Sequence, residues 1–171
     1  DMPARMRNDL NLIRELGDSS GRRFFLRALP VRMPQPDVGN PEWNLASVSA
    51  KYSLQVAAFE PTGEFASYKQ AAAEYCAELR ERGYEAYYHH GPASSVVTVG
   101  AFGPDAVRSV SDGRVWRTVY ASEVLALQRD ELLKHNLLNG HVYRVRDVNG
   151  EMVPVPSRLV EVPRNEDGEP W

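Results

Sequence analysis

The chain has 171 residues, 43% of them hydrophobic and 25% charged, with a formal net charge of -3. That is the size of one domain, with or without attachments, and it holds enough apolar material for a core. No apolar run reaches the roughly 18 residues a membrane span needs, and the acidic balance argues against a nucleic-acid partner.

Residues 4–16, ARMRNDLNLIREL, put Met6, Leu10, Ile13 and Leu16 at helical spacing, with Gly17 as the closing residue. Residues 23–29, RFFLRAL, read as a strand, which makes 1–29 an N-terminal helix-strand element. The chain starts at Asp1 rather than Met, so a signal peptide, anchor or further domain would lie among residues that precede it. Residues 30–51 follow as a Pro-rich linker. Pro30, Pro34, Pro36 and Pro41 predict extended backbone, and Trp43 is the expected anchor against the main body.

Tyr52 to Phe59, YSLQVAAF, then alternates as a strand, with Leu54 and Val56 on one face and Ser53, Gln55 and Ala57 on the other. From Phe65 to Arg82 the apolar Tyr68, Ala72, Tyr75 and Leu79 recur every three or four residues. Lys69, Glu74, Glu78, Arg80 and Glu81 take the solvent side, and Gly83 ends the helix. Cys76 lies in this segment. As the single cysteine it excludes an intrachain disulfide, and its setting predicts a small packed side chain.

Residues 84–90, YEAYYHH, and SSVVTVGAF to Phe102 read as two strands joined by the short turn at Gly91-Pro92. Residues 103–121 form an insertion, with a possible strand from Val115 to Tyr120. A second helix, 122–134, is expected with Ser122 as N-cap and with Val124, Leu125, Leu127, Leu132 and Leu133 on its apolar side. A hairpin about Asn149-Gly150 joins 141–146 to 152–162, where Pro154 and Pro156 restrict the second strand to an edge. The tail 163–171 is polar apart from Trp171.

Two phrases match: Leu54-Gln-Val-Ala-Ala-Phe59 lies over Val97-Thr-Val-Gly-Ala-Phe102. With a helix after each, the order is βαββαβ. The equivalent first strands then pair at the centre of one antiparallel sheet, both helices cover one face, and Leu54, Val56, Val97 and Val99 form the apolar underside. The fold class expected is α+β.

Three motifs resemble the SPOR (sporulation-related repeat) domain. They are Tyr52 with Gln55-Val-Ala-Ala-Phe59; Leu79 with Gly83, Tyr84 and Ala86; and Val97-x-Val99-Gly100-x-Phe102. The match is clearest over 52–102 and extends to 52–162 if 103–121 is inserted. The resemblance implies a ferredoxin-like domain of the cell envelope or periplasm. It would bind peptidoglycan glycan strands on the sheet face away from the helices, with other envelope proteins as possible partners. On that face, alternation places Gln55, Tyr87, His89 and Thr98, with Ser53 and Glu85 near the rim. An amide can meet sugar hydroxyls and a tyrosine ring can stack on a pyranose. Departures stand beside the match. Ala58 occupies a turn position where the family often has Ser, and Ser94, Ser95 and Val96 stand where it often brings Arg or Trp.

No catalytic template occurs: there is no Gly-x-Ser-x-Gly elbow, Gly-rich phosphate loop or His-Glu-x-x-His pair. The sequence therefore predicts a non-enzyme without cofactor. His89 and His90, adjacent on a strand, point to opposite faces and do not suggest a metal site. The acidic balance also weighs against an RNA-recognition role for the sheet. Two functions remain: a glycan-binding envelope module, and a protein-protein scaffold that keeps the fold without the ligand.

Overall fold

The structure is a computed structural model that describes residues 4–29, 38–63, 66–111 and 113–164. It divides into two compact units, 1–36 and 37–171. In the first, helix α1 spans Ala4–Glu15 with Leu10 buried, while Met6, Ile13 and Leu16 are exposed. The strand expected at 23–29 does not form. Pairing is limited to the isolated Gly17–Arg23 bridge and the Phe24 N–H bond to Leu16 O, and a turn then closes from Phe25 to Ala28.

The second unit is α+β with a mixed sheet. Its elements are β1 Tyr52–Phe59, α2 Tyr68–Glu81, β2 Ala86–His90, β3 Ser95–Phe102, β4 Val107–Ser111, β5 Trp116–Tyr120 and α3 Ser122–Arg129. The short strands β6 Leu137–Leu138, β7 His141–Val142, β8 Arg144–Arg146, β9 Met152–Pro154 and β10 Arg158–Glu161 complete it. Through the main sheet the order is β10-β1-β3-β2, all neighbours antiparallel; β6 adds to the far half of β1 in parallel and carries β7.

The twin phrases do lie side by side. Leu54 faces Val99 and Gln55 faces Thr98. Between the Tyr52–Phe102 and Leu54–Val99 pairings β3 holds one extra residue, and between Gln55–Thr98 and Ala57–Val97 the extra residue is on β1. The irregularity in β1 thus falls at Val56, beside the paired Ala57, and that in β3 at Gly100-Ala101, beside the paired Val99. Small residues suit a bulge. At Gly100 only glycine suits it: its φ is +76°, and a Cβ there would come within 2.4 Å of the Phe102 ring.

Leu54, Val56, Val97 and Val99 form the expected underside, buried with Ala72, Cys76 and Leu79 of α2 and with Val124 of α3. Each such aliphatic side chain contributes about 1.5–3 kcal/mol on burial. Burial pushes the Cys76 thiol up to about 11, which keeps it neutral. Lys69, expected in solvent, is buried instead. Gly83 closes α2 as predicted: at φ +88° it lets Tyr84 N–H reach Leu79 O at 3.0 Å and its own N–H reach Arg80 O at 2.9 Å.

Several boundaries differ from expectation. Helix α3 stops at Arg129, because Asp130 turns to extended backbone and uses its carboxylate to cap the next turn at Leu132 N–H. Ser122 is the first residue of α3 and Ala121 stands at the cap, so the expected serine cap is absent. The insertion holds two strands rather than one: β4 and β5 form a separate hairpin. The stretch 152–162 splits at Pro156, so that β9 pairs with β8 while β10 pairs with β1. Phe65 and Trp171 lie outside the described residues, as do Pro30, Pro34 and Pro36 of the linker.

Candidate functional site

Pairing sets Arg158, Gln55, Thr98 and Tyr87 in one row across β10, β1, β3 and β2. Directly opposed side chains share a face, so three of the four predicted ligand residues do come together. The fourth, His89, is two pairs further along, opposite Val96 and half-buried.

That face is not open, which corrects the expectation. Gln55 is 6% exposed, Tyr87 8% and Thr98 0%. Ser53 is buried too, and its hydroxyl donates to Gly100 O at 2.6 Å. The cover is a second apolar cluster in which Leu45, 1% exposed, meets Tyr87 and Val162, with Val48, Ala50 and Ala101 around them. Leu45 comes from the stretch expected to be extended linker. There the chain instead makes two 3-10 turns, Pro41–Trp43 and Leu45–Ser47. Their starts are written in the sequence: Asn40 and Asn44 cap Glu42 N–H and Ala46 N–H, and Pro41 takes the first helical position. That signal was legible and points to ordered turns.

The covering segment is stitched along the outer edge of β2. Tyr88 Oη donates to Asn40 O at 2.9 Å, and a His90 ring nitrogen lies 2.9 Å from Val38 O. Gly39 presses so close to Tyr88 and Ala73 that a Cβ would fall within 2.9 Å of both. Arg80, assigned to solvent from its helical position, is the clasp. Its Nε donates to Ala86 O at 2.6 Å, and its guanidinium lies 5.0 Å from the Trp43 ring centre and 5.2 Å from that of Tyr87. Trp43 is half-buried against the core, the anchor the sequence predicts.

Tyr87 therefore meets protein on both of its functional ends. Arg80 sits at its ring and its hydroxyl donates to Glu85 Oε1 at 2.6 Å. Burial first, and then the Glu85 hydrogen bond, push this phenol up to about 12. Thr98 Oγ1 is buried with no hydrogen-bond partner among the described residues. His89 and His90 face opposite sides as the strand geometry requires; the His90 ring stacks on Tyr88 with centroids 4.6 Å apart. Among the described residues no three His, Cys, Asp or Glu side chains are grouped to hold a metal, and no helix is long and apolar enough to cross a membrane.

What remains accessible lies at the margins. Arg158 is exposed at one end of the row. A cleft of about 350 Å³ beside the covered face is lined by Lys51, Glu161, Val162 and Arg164. A second, of about 290 Å³, lies at the foot of the β4–β5 hairpin among Asp105, Arg108, Tyr120 and Ser122. The hairpin itself exposes Val110, Val115, Trp116 and Val119. Comparison of the chain with family models, curated proteins and solved structures finds no match.

Proposed function

We propose that residues 52–162 form a divergent SPOR-like, ferredoxin-like domain of the cell envelope or periplasm, and that it acts as a non-catalytic protein-protein interaction module. The fold part of this reading is supported by the β10-β1-β3-β2 order, the antiparallel twin strands and the packing of α2 and α3 on one shared core. The function part rests on one observation. Where a glycan strand would lie across the sheet, Gln55, Thr98 and Tyr87 are all buried, and Leu45 and Val162 cluster with Tyr87. A sugar would have to displace a desolvated aliphatic cover to reach Gln55, whereas Trp116 and its neighbouring valines face solvent. Exposed apolar residues grouped with arginine and tryptophan suit contact with another protein.

Glycan binding remains as a second reading, favoured by the alignment of four polar-tipped side chains from Arg158 to Tyr87 in one row. Two experiments separate the readings. Co-sedimentation with peptide-stripped sacculi is expected to leave the protein in the supernatant. Saturable pelleting that Gln55→Glu and Arg158→Ala both abolish would overturn the interaction reading in favour of glycan. A photo-crosslinker placed at Trp116 is expected to give a discrete protein adduct, and the same probe at Gln55 none.

A further inference from the structure

The β4–β5 hairpin is the least supported part of the second unit. Its strands pair with each other and with no third strand among the described residues, and side chains on both of its faces are exposed. A two-stranded ribbon alone is marginal in water; three or more strands are needed for independent stability. Edge strands that must stay single are commonly blunted by Lys, Pro or a bulge. In the edge strand β5, Trp116-Arg-Thr-Val-Tyr120, Arg117 is the one charged residue; the five residues carry neither Lys nor Pro, and the register with β4 is unbroken. All but Arg117 are residue types enriched in strands.

The strand is also nearly a palindrome. Turned about Thr118, it sets Trp116 against Tyr120, Arg117 against Val119 and Thr118 against itself. Aromatic-aromatic and Thr–Thr cross-strand pairs are favourable, and like charges directly opposite are not. The register within the hairpin extends the pattern. Arg108 faces Val119 and Val110 faces Arg117. Pairing two β5 strands in antiparallel fashion therefore gives rows of Arg108, Val119, Arg117 and Val110, the last two from the second copy. Arginine and valine alternate along each row, no arginine lies directly across from another, and the arginine stems can lie over the valines. The opposite face gains a central row of Ser109, Thr118 and their copies. A twofold contact must be self-complementary in this way.

We propose that two copies of this chain pair edge to edge through β5, centred on Thr118, to make a four-stranded sheet from two hairpins. This rests on the interaction reading above and names a second copy as the partner at the hairpin. Sedimentation equilibrium across the micromolar range is expected to show mass rising from one chain of 19.2 kDa toward two. Thr118→Lys and Thr118→Glu, which each set like charges face to face on an exposed strand, are expected to run as single chains. An equimolar mixture of the two variants is expected to recover the paired mass. Circular dichroism identical to wild type checks that both variants are folded. A wild type that stays at single-chain mass, single variants that pair as wild type does, or a mixture that fails to pair would each overturn the proposal. If the wild type is a single chain but the Trp116 crosslinker captures a different protein, the interaction reading survives and the self-pairing does not.

Discussion

The β1–β3 pair and the β4–β5 pair are built from similar material and end in opposite surroundings. Both are antiparallel, both are rich in valine and aromatic residues, and both have an unambiguous register. In the first, every residue of β1 from Ser53 to Ala57 is buried. In the second, β5 is exposed along its length except for a half-buried Tyr120. Strand propensity thus decides that a segment is extended, and not what lies on it. The difference comes from cover: α2, α3 and the 3-10 turns close on the first pair, whereas both faces of the second are exposed.

The sharpest way to break this contrast is truncation at matched depths. Leu54→Ala removes a side chain with no exposure from the centre of the core, and urea denaturation should register a loss of about 2–5 kcal/mol. Val119→Ala on the hairpin should stay within about 0.5 kcal/mol of wild type. Comparable losses at both sites would mean that the hairpin is packed after all.

Next in size is Gly100→Ala, which combines a positive φ with a ring 2.4 Å from the new methyl group. A cost of about 2 kcal/mol or more is expected, since the left-handed conformation alone costs about 1–2 kcal/mol. Gly113→Ala, at φ +85° in open space, should pay only the backbone strain and leave the sheet's melting temperature nearly unchanged, because it loosens the hairpin tip.

Arg80→Ala probes the cover itself. It removes one hydrogen bond to β2 and two ring contacts, a loss of roughly 1–2 kcal/mol. If the clasp holds the cover down, hydrogen exchange at Leu45 and Ala46 should accelerate more than at Leu54. Uniform acceleration would mean that Arg80 supports the fold generally.

The smallest effect is also the most diagnostic. Asp130 is held below the usual 3.8, first by Leu132 N–H and then by the Tyr84 hydroxyl, which donates to its carboxylate at 2.9 Å. A carboxyl with a depressed folded pKa stabilises fully above 3.8 and loses that contribution as pH falls through the folded value. Tyr84→Phe should therefore cost only about 0.5 kcal/mol at pH 7, because solvent screens the pair, with the gap to wild type shrinking as pH is lowered below 3.8. A gap that is flat between pH 7 and pH 3 would rule the pair out as its source.

Much of the second unit was legible because its signals are local. The spacing of Tyr68, Ala72, Tyr75 and Leu79 gave α2, Gly83 gave its end, and the repeated phrase gave the central pair. What failed did so where a decision depended on residues far along the chain. The Gln55–Thr98–Tyr87 row followed from alternation, but the burial of Tyr87 involves Leu45 and Val162, neither of which belongs to the alternating pattern. Arg80 read as solvent-facing because periodicity sees only its own helix and not the edge of β2. Residues 23–29 had the composition of a strand, but among the described residues their pairing stops at the Gly17–Arg23 bridge. The two turns after Gly39 differ from the extended expectation for another reason: the Asn40 and Asn44 caps close them locally, and Pro41 fits the first helical position.

The order of residues alone dictated where backbone repeats, which side chains share a side of each strand, and that leucines and valines of the twin phrases would be interior. These follow from bond geometry and solvation within a few residues. Which side of the sheet water reaches was settled only when the chain closed on itself, since covering a surface needs groups brought together from distant positions.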